Sequence, residues 1–304
     1  MTTPKLTQEQ RMSQRMLGDI AIDVAVEMPI DDGFPPEVLL PAFEPAVLQD
    51  NLGICDPFCF NPNTGGLKVS VHTWIVRTGT QTILIDTCNG NHKDRPGFAM
   101  SHQLNLPYLE KLAAAGVHPA EVDVVMCTHL HVDHCGWNTR LENGKWVPTF
   151  KNAKYIFSKA EYDEWNPEDT RYAKNPINAG VFNDSVLPVI EAGQAQLIEG
   201  HHALSDHMLI EPAPGHTLGS MVLKVESKGR HALFAGDVLH SPMQILRPDW
   251  GSCFCDDTVM SGKTRRRLLE HCVEHDALLM PAHFPPPHAV RVQRTAAGYS
   301  FTPE

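Results

Sequence analysis

A chain of 304 residues, 42% hydrophobic and 20% charged, has the composition of a soluble globular protein and enough length to bury a sizeable core. Its net charge of -11 argues against a phosphate-backbone partner, because nucleic-acid binders carry basic stripes. No run approaches the length of a membrane-spanning helix, and the N-terminal stretch Met1 to Arg11 has no apolar centre to serve as a secretory signal. The expectation is a cytoplasmic protein that binds neither membrane nor nucleic acid. Its eight cysteines are then reduced thiols. Cys253 and Cys255 lack the second pair that a zinc knuckle needs, and read as structural or incidental.

Residues Thr7 to Leu17 are polar and helix-compatible, and fall within an N-terminal arm over residues 1–19. Ile20 to Val26 reads as a strand. From Asp31 to Gly66 the chain accumulates Pro, Asp, Asn and Phe, so residues 31–66 are expected as a long covering loop within one domain spanning 20–304. Val69 to Val76 and Thr82 to Asp86 flank the turn Thr78-Gly79-Thr80 as a hairpin. Pro107 to Ala115 reads as a helix, with proline in its first turn and Gly116 placed to end it. The apolar run Val122 to Cys127 is a strand. Lys154 to Phe157 follows as a short strand, and Lys159 to Trp165 as the start of a helix. Asn166 to Gly180 is loop-like, and Val181 to Ala192 is helical as far as Pro188. Gln196 to Ile198 and Met208 to Ile210 are short strands. A second hairpin pairs Ser220 to Val225 with His231 to Asp237, so both hairpins end their second strand in an aspartate, Asp86 and Asp237. Lys263 to Glu274 is a helix, and Ala277 to Met280 a last strand running into Pro281-Ala282-His283. Each half reads as hairpin, helix, then a strand whose end delivers histidine. The pattern predicts an α/β (α+β) domain of two mixed sheets covered by helices.

The chemistry concentrates in Thr128-His129-Leu130-His131-Val132-Asp133-His134-Cys135-Gly136, directly after a strand. His129 and His131 alternate, so both rings point the same way from an extended segment. Asp133 and His134 follow where the chain bends and can face a second ion beside the first. Imidazole and carboxylate together suit zinc and other borderline divalent ions. Read without a metal, the stretch is a solvated histidine-rich turn. His216 in Pro-Gly-His-Thr, Asp237 in Ala-Gly-Asp-Val and His283 in Pro-Ala-His-Phe recur at strand ends. Each alone is an ordinary hydrogen-bonded residue; in order with the cluster they complete two coordination sets. Trp137, Trp250, Phe284 and the Phe58/Phe60 loop read either as pocket walls or as core.

The ordered set His-x-His-x-Asp-His, His216, Asp237 and His283 resembles the metallo-β-lactamase superfamily in its dinuclear hydrolase branch, over roughly Ile20 to Pro287. The resemblance implies a four-layer αββα sandwich. It implies two Zn²⁺ per chain, with other divalent metals admissible: His129, His131 and His216 on the first ion, Asp133, His134 and His283 on the second, and Asp237 bridging. It implies that Asp86 orients the metal loop, and that Asp133 partners a bridging hydroxide and shuttles its proton.

Within that family, His131 stands where diiron oxygen reductases have glutamate, and Asp237 stands where secreted β-lactamases have cysteine. After His283 only 21 residues remain (304 − 283), too few for the helical region of glyoxalase II enzymes. The remaining group holds acyl-homoserine-lactone lactonases, pyridoxolactonase and methyl-parathion-type hydrolases, the last similar to Gly236 to Gln244. His240 stands near the position where the lactonases usually place a tyrosine, and is read as either a substrate contact or a residue behind the metal ligands. The expected activity is zinc-dependent hydrolysis of a small ester-like substrate, a lactone first, by a monomer or homodimer. The alternatives are an organophosphate or β-lactam hydrolase, a metal-dependent oxidoreductase, and a metal-stabilised scaffold.

Overall fold

The computed structural model describes residues 14–167 and 176–304. These form two large mixed sheets, of eight and seven strands, a separate two-stranded hairpin, and a set of helices. This is the expected α/β fold class. The chain divides into two compact units. The first comprises the described residues up to Glu27 together with His72–Glu199; the second comprises Met28–Val71 and Gly200–Glu304.

In the first unit the strands Thr82–Ile85, Val124–Met126 and Lys154–Ser158 run parallel, with Ile83 opposite Val124 and Met126 opposite Ile156. Parallel strands covered on both faces read as continuous apolar runs rather than as alternation. Val124–Met126 is buried at all three positions, which is why its sequence carries no polar face. Tyr108–Ala114 forms the expected helix and Gly116 takes the left-handed conformation just beyond it (φ 78°). Lys159–Trp165 is helical as read. Pro188 was expected to end a helix; instead a π-helical turn over Phe182–Val186 runs into Leu187–Glu191, with Pro188 in its first turn, where a missing N–H costs nothing. The hairpin Thr139–Glu142 with Lys145–Pro148 was not anticipated.

In the second unit Met221–Ser227 pairs antiparallel with Arg230–Gly236, which lies parallel to Leu278–Pro281. The helix Thr258–His275 opens on Asp257, whose side chain accepts the Met260 N–H at 2.8 Å, and closes on Asp276 in the left-handed conformation. It is longer than the expected Lys263 to Glu274 because this cap lies outside the apolar pattern. Val290–Thr295 and Gly298–Pro303 add a C-terminal hairpin that the sequence reading did not include.

Two expectations are corrected. Of the N-terminal arm, residues up to 13 lie outside the described residues, but Arg15–Leu17 is a strand paired with Ile20–Phe34, not helix. The segment expected as a loop contains the short helices Pro36–Leu39, Pro45–Asp50 and Leu52–Cys55, two of them started by a proline. Leu39, Leu40, Val47, Leu48, Cys55 and Cys59 belong to the core of the second unit. Phe43 packs edge-on to Trp250 at 5.6 Å, and Phe58 packs against Phe284 and Phe301. Burial of these side chains overrides the irregular composition. No described helix is long and apolar enough to cross a membrane.

His271 and His275 stand on consecutive turns of the long helix, with rings 4.5 Å apart, and His231 lies 5.1 Å from His275. Burial first, then Lys224, His275 and His231, push His271 down from 6.5 to about 4, against the pull of Glu211. Between those values the unfolded chain binds a proton that the folded chain refuses, so this group makes stability fall as pH drops from about 6.5 to 4. His271→Gln should therefore flatten the acid side of a plot of melting temperature against pH. Parallel curves for the two proteins would refute this.

Candidate metal centre

Most of the expected donors sit just beyond the carboxyl ends of strands in the parallel parts of the sheets, where open α/β sheets gather ligand sites; His216 instead follows the antiparallel strand Met208–Pro212. In the first unit the strand Thr82–Ile85 ends at Asp86, which adopts φ 58°, a left-handed conformation uncommon outside glycine. Asp86 is 3% exposed, and its carboxylate faces the turn after Val124–Met126. It accepts the Thr128 N–H at 2.7 Å, the Thr128 hydroxyl at 2.8 Å and His134 Nδ1–H at 2.9 Å.

These bonds determine where the imidazole lone pairs point. The Thr128 hydroxyl has given its proton to Asp86, so toward His129 Nδ1, 3.2 Å away, it accepts. Neutral His129 and His134 therefore both carry hydrogen on Nδ1 and a lone pair on Nε2. His134 Nε2 stands 3.5 Å from Asp133 Oδ1. The His129 ring lies 4.5 Å from that of His131 and 4.0 Å from that of His134. His134 is buried, whereas the Asp133 side chain is 20% exposed.

The same logic operates in the second unit. His283 Nδ1 donates to the Ser70 carbonyl at 3.0 Å, which leaves a lone pair on Nε2 only 3.0 Å from Asp237 Oδ1. His216 Nε2 lies 3.3 Å from the other oxygen, Oδ2. Two acceptors at 3.0 Å repel unless a cation lies between them. Donors each about 2.1 Å from one zinc ion stand roughly 3.0–3.5 Å apart, the spacing found at all three pairs. The donor chemistry and spacing in each unit fit a borderline divalent metal. Each oxygen of Asp237 faces a different imidazole.

His240 turns its Nε2 toward Asp237 Oδ2 at 3.1 Å, and its ring is sandwiched between Phe254 and His283. Its backbone N–H donates to Gln244 Oε1 at 2.6 Å. Burial lowers its pKa, with Asp237 opposing, so the ring is neutral and donates one hydrogen bond to the carboxylate. Cys127 and Cys135, beside the cluster, are driven up by burial; as protonated thiols they are weak donors to the His134 and His131 carbonyls, not metal ligands. Cys255 is partly exposed, with its sulfur 3.8 Å from His216 Nδ1. Trp137, Trp250 and Phe284 are core residues, at most 5% exposed.

Several supporting residues escaped the sequence reading. Glu27, on Ile20–Phe34, accepts from the Asn89 N–H, the Asn89 amide, the Gly90 N–H and the Trp137 indole, tying the loop after Asp86 to the end of the histidine motif. Burial still raises its pKa, with these bonds opposing. Arg265, fully buried, donates to the carbonyls of Val238, Pro248 and Trp250, and so fixes the loop that carries His240. Neither residue lies near its target in sequence, so no motif could have revealed them.

The fold and these donors place the chain in a known class. It belongs to the metallo-β-lactamase superfamily, whose pattern it matches over residues 67–283. Among particular relatives, metallo-beta-lactamase domain-containing protein 1 of Xenopus laevis is 31% identical over 145 residues, 48% of this chain and 49% of that protein, so the match spans about half the length of this relative. Two solved structures each share 21% identity and cover 96% of both chains. AidC, a dizinc quorum-quenching lactonase in complex with N-hexanoyl-L-homoserine, has a TM-score of 0.75. The hydrolase AbOPH of the β-lactamase superfamily has a TM-score of 0.76.

Gly136 closes the motif where the chain passes over the Asp86 loop. Its N–H donates to the Cys88 carbonyl at 2.8 Å, and a Cβ there would meet the Asn89 carbonyl oxygen at 1.7 Å. Gly136→Ala must push the two loops apart, at a cost of about 3 kcal/mol or more. The expected result is a lower melting temperature together with weaker divalent-metal binding. Unchanged values of both would show that the loops yield freely.

Proposed function

We propose that this chain is a dinuclear zinc-dependent hydrolase of a small ester-like substrate, with a lactone as the first candidate. The observation that carries the reading is the disposition of Asp237, one oxygen toward His216 and the other toward His283, whose Nε2 lone pair is set by Ser70. In this proposal His129, His131 and His216 hold one ion, Asp133, His134 and His283 hold the other, and Asp237 serves both. Resemblance to AidC across 96% of both chains supports a lactone, and a small-molecule partner generally.

Bound ions would supply a nucleophile at neutral pH, by lowering the pKa of a coordinated water, and would polarise the substrate carbonyl. The side chains do the rest. Asp133, the more exposed acid, takes the proton lost by the attacking water and returns it to the departing alkoxide. Asp86 keeps His134 and the Thr128 turn fixed throughout. His240 holds Asp237 Oδ2 through a neutral Nε2–H and so keeps that oxygen oriented.

A hydrolysis screen of zinc-loaded protein on lactones, phosphotriesters, β-lactams and aryl esters tests the substrate. Lactone opening that is lost on chelation is expected. Faster turnover of a phosphotriester or a β-lactam would reassign it, and iron with oxygen consumption would overturn the hydrolase reading. Asp237→Ala should lose metal and activity together; two ions retained at full activity would remove its bridging role. His240→Ala should keep both ions while turnover falls roughly 10–100-fold, the usual effect of removing a group that supports a ligand. An unchanged rate would reduce His240 to packing.

A further inference from the structure

The backbone between the two histidines of the His-x-His pair is held from outside the motif. Leu130 is 1% exposed and sits in an irregular turn, where no ladder or helix takes up its N–H and C=O. Its N–H donates to Glu161 Oε2 at 2.9 Å, and its carbonyl accepts from Asn178 Nδ2 at 3.0 Å. Glu161 is fully buried, and the same Oε2 accepts the indole N–H of Trp165, one helical turn later, at 3.0 Å. The Trp165 ring in turn meets the His131 ring edge-on at 5.3 Å. The peptide groups flanking Leu130 and one of the two imidazoles therefore rest on a single group, formed by the helix Lys159–Trp165 and by Asn178.

We infer that Glu161 is a positioning residue for the ion held by His129 and His131, acting through the Leu130 peptide and Trp165. The inference rests on the two-metal reading above. The Glu161 and Asn178 bonds together fix the spacer that sets the spread of the two imidazoles. Asp86 performs the matching task for Thr128 and His134, and through the Thr128 hydroxyl reaches His129; the Leu130 peptide and His131 are the part of the motif that Glu161 supports in its place.

This separation is what the experiment reads. Wild-type protein, Glu161→Ala, Glu161→Gln and Trp165→Phe are stripped and titrated with zinc against a chromophoric chelator. Cobalt(II) spectra and the melting temperatures of the stripped forms are recorded alongside. In Glu161→Ala one of the two ions should bind about 10–100-fold more weakly while the other is held as in wild type. The cobalt bands of the weakened ion should shift. Glu161→Gln should recover most of the affinity, because its amide oxygen accepts from both Leu130 and Trp165. Trp165→Phe should fall between the two. Should Glu161→Ala fail to fold, Asn178→Ala, which frees the Leu130 carbonyl, should weaken the same ion. Affinity for both ions as in wild type in the variants, or equal weakening of both, would overturn the proposal. Wild-type protein that takes up no divalent ion would overturn the two-metal reading itself, and the wild-type titration tells these failures apart.

Discussion

The carboxylate of Asp86 is the contact on which the histidine cluster depends. It meets three donors from the turn after Val124–Met126, and by doing so decides the tautomers of His129 and His134. Its own position requires a left-handed backbone at the end of a buried strand. Such strain persists only where the surroundings over-determine it. Here Glu27 holds the next loop through Asn89 and Gly90, and Gly136 passes over that loop with no room for a side chain. The ligand geometry is therefore a property of the sheet and its buried polar contacts, and the histidines would be poorly placed without them.

A common principle connects the supports. Donors at strand ends sit in irregular turns, and such turns leave peptide groups that the ladder cannot satisfy. In this chain ionic side chains from distant segments take them up: Glu27 and Glu161 receive N–H groups, and Arg265 reaches three carbonyls. Each is 1% exposed or less. Burial depresses Arg265 to about 10, still far above neutrality, so it remains a cation among carbonyl dipoles. Rigid ligands are obtained by accepting the desolvation of several ionisable side chains.

This also explains what was legible in the sequence. The His-x-His-x-Asp-His run is contiguous and follows an apolar strand, so its chemistry and its place in the fold could be read directly. The two hairpins were readable because alternation and turn residues are local signals. Asp86 and Asp237 could be singled out because both follow such strands. Glu27, Glu161, Asn178 and Arg265 could not, since a buried polar residue signals its role only through a partner tens of residues away. The short helices after Phe34 were hidden for another reason: four to six residues are too few to show a period. The C-terminal hairpin alternates over only two apolar positions in each strand, Val290 and Val292 opposite Tyr299 and Phe301, too short a pattern to stand out.

The plan of hairpin, helix and parallel strand occurs twice, and its two copies put a strand-end acid to different use. Asp86 and Asp237 occupy corresponding places, as do the motif after Val124–Met126 and His283 after Leu278–Pro281. Yet one aspartate faces a threonine and a histidine ring from behind, while the other faces the Nε2 atoms of two histidines. The backbone position is thus neutral between the two uses, and the side chains that the neighbouring turns present to the acid decide which one it serves.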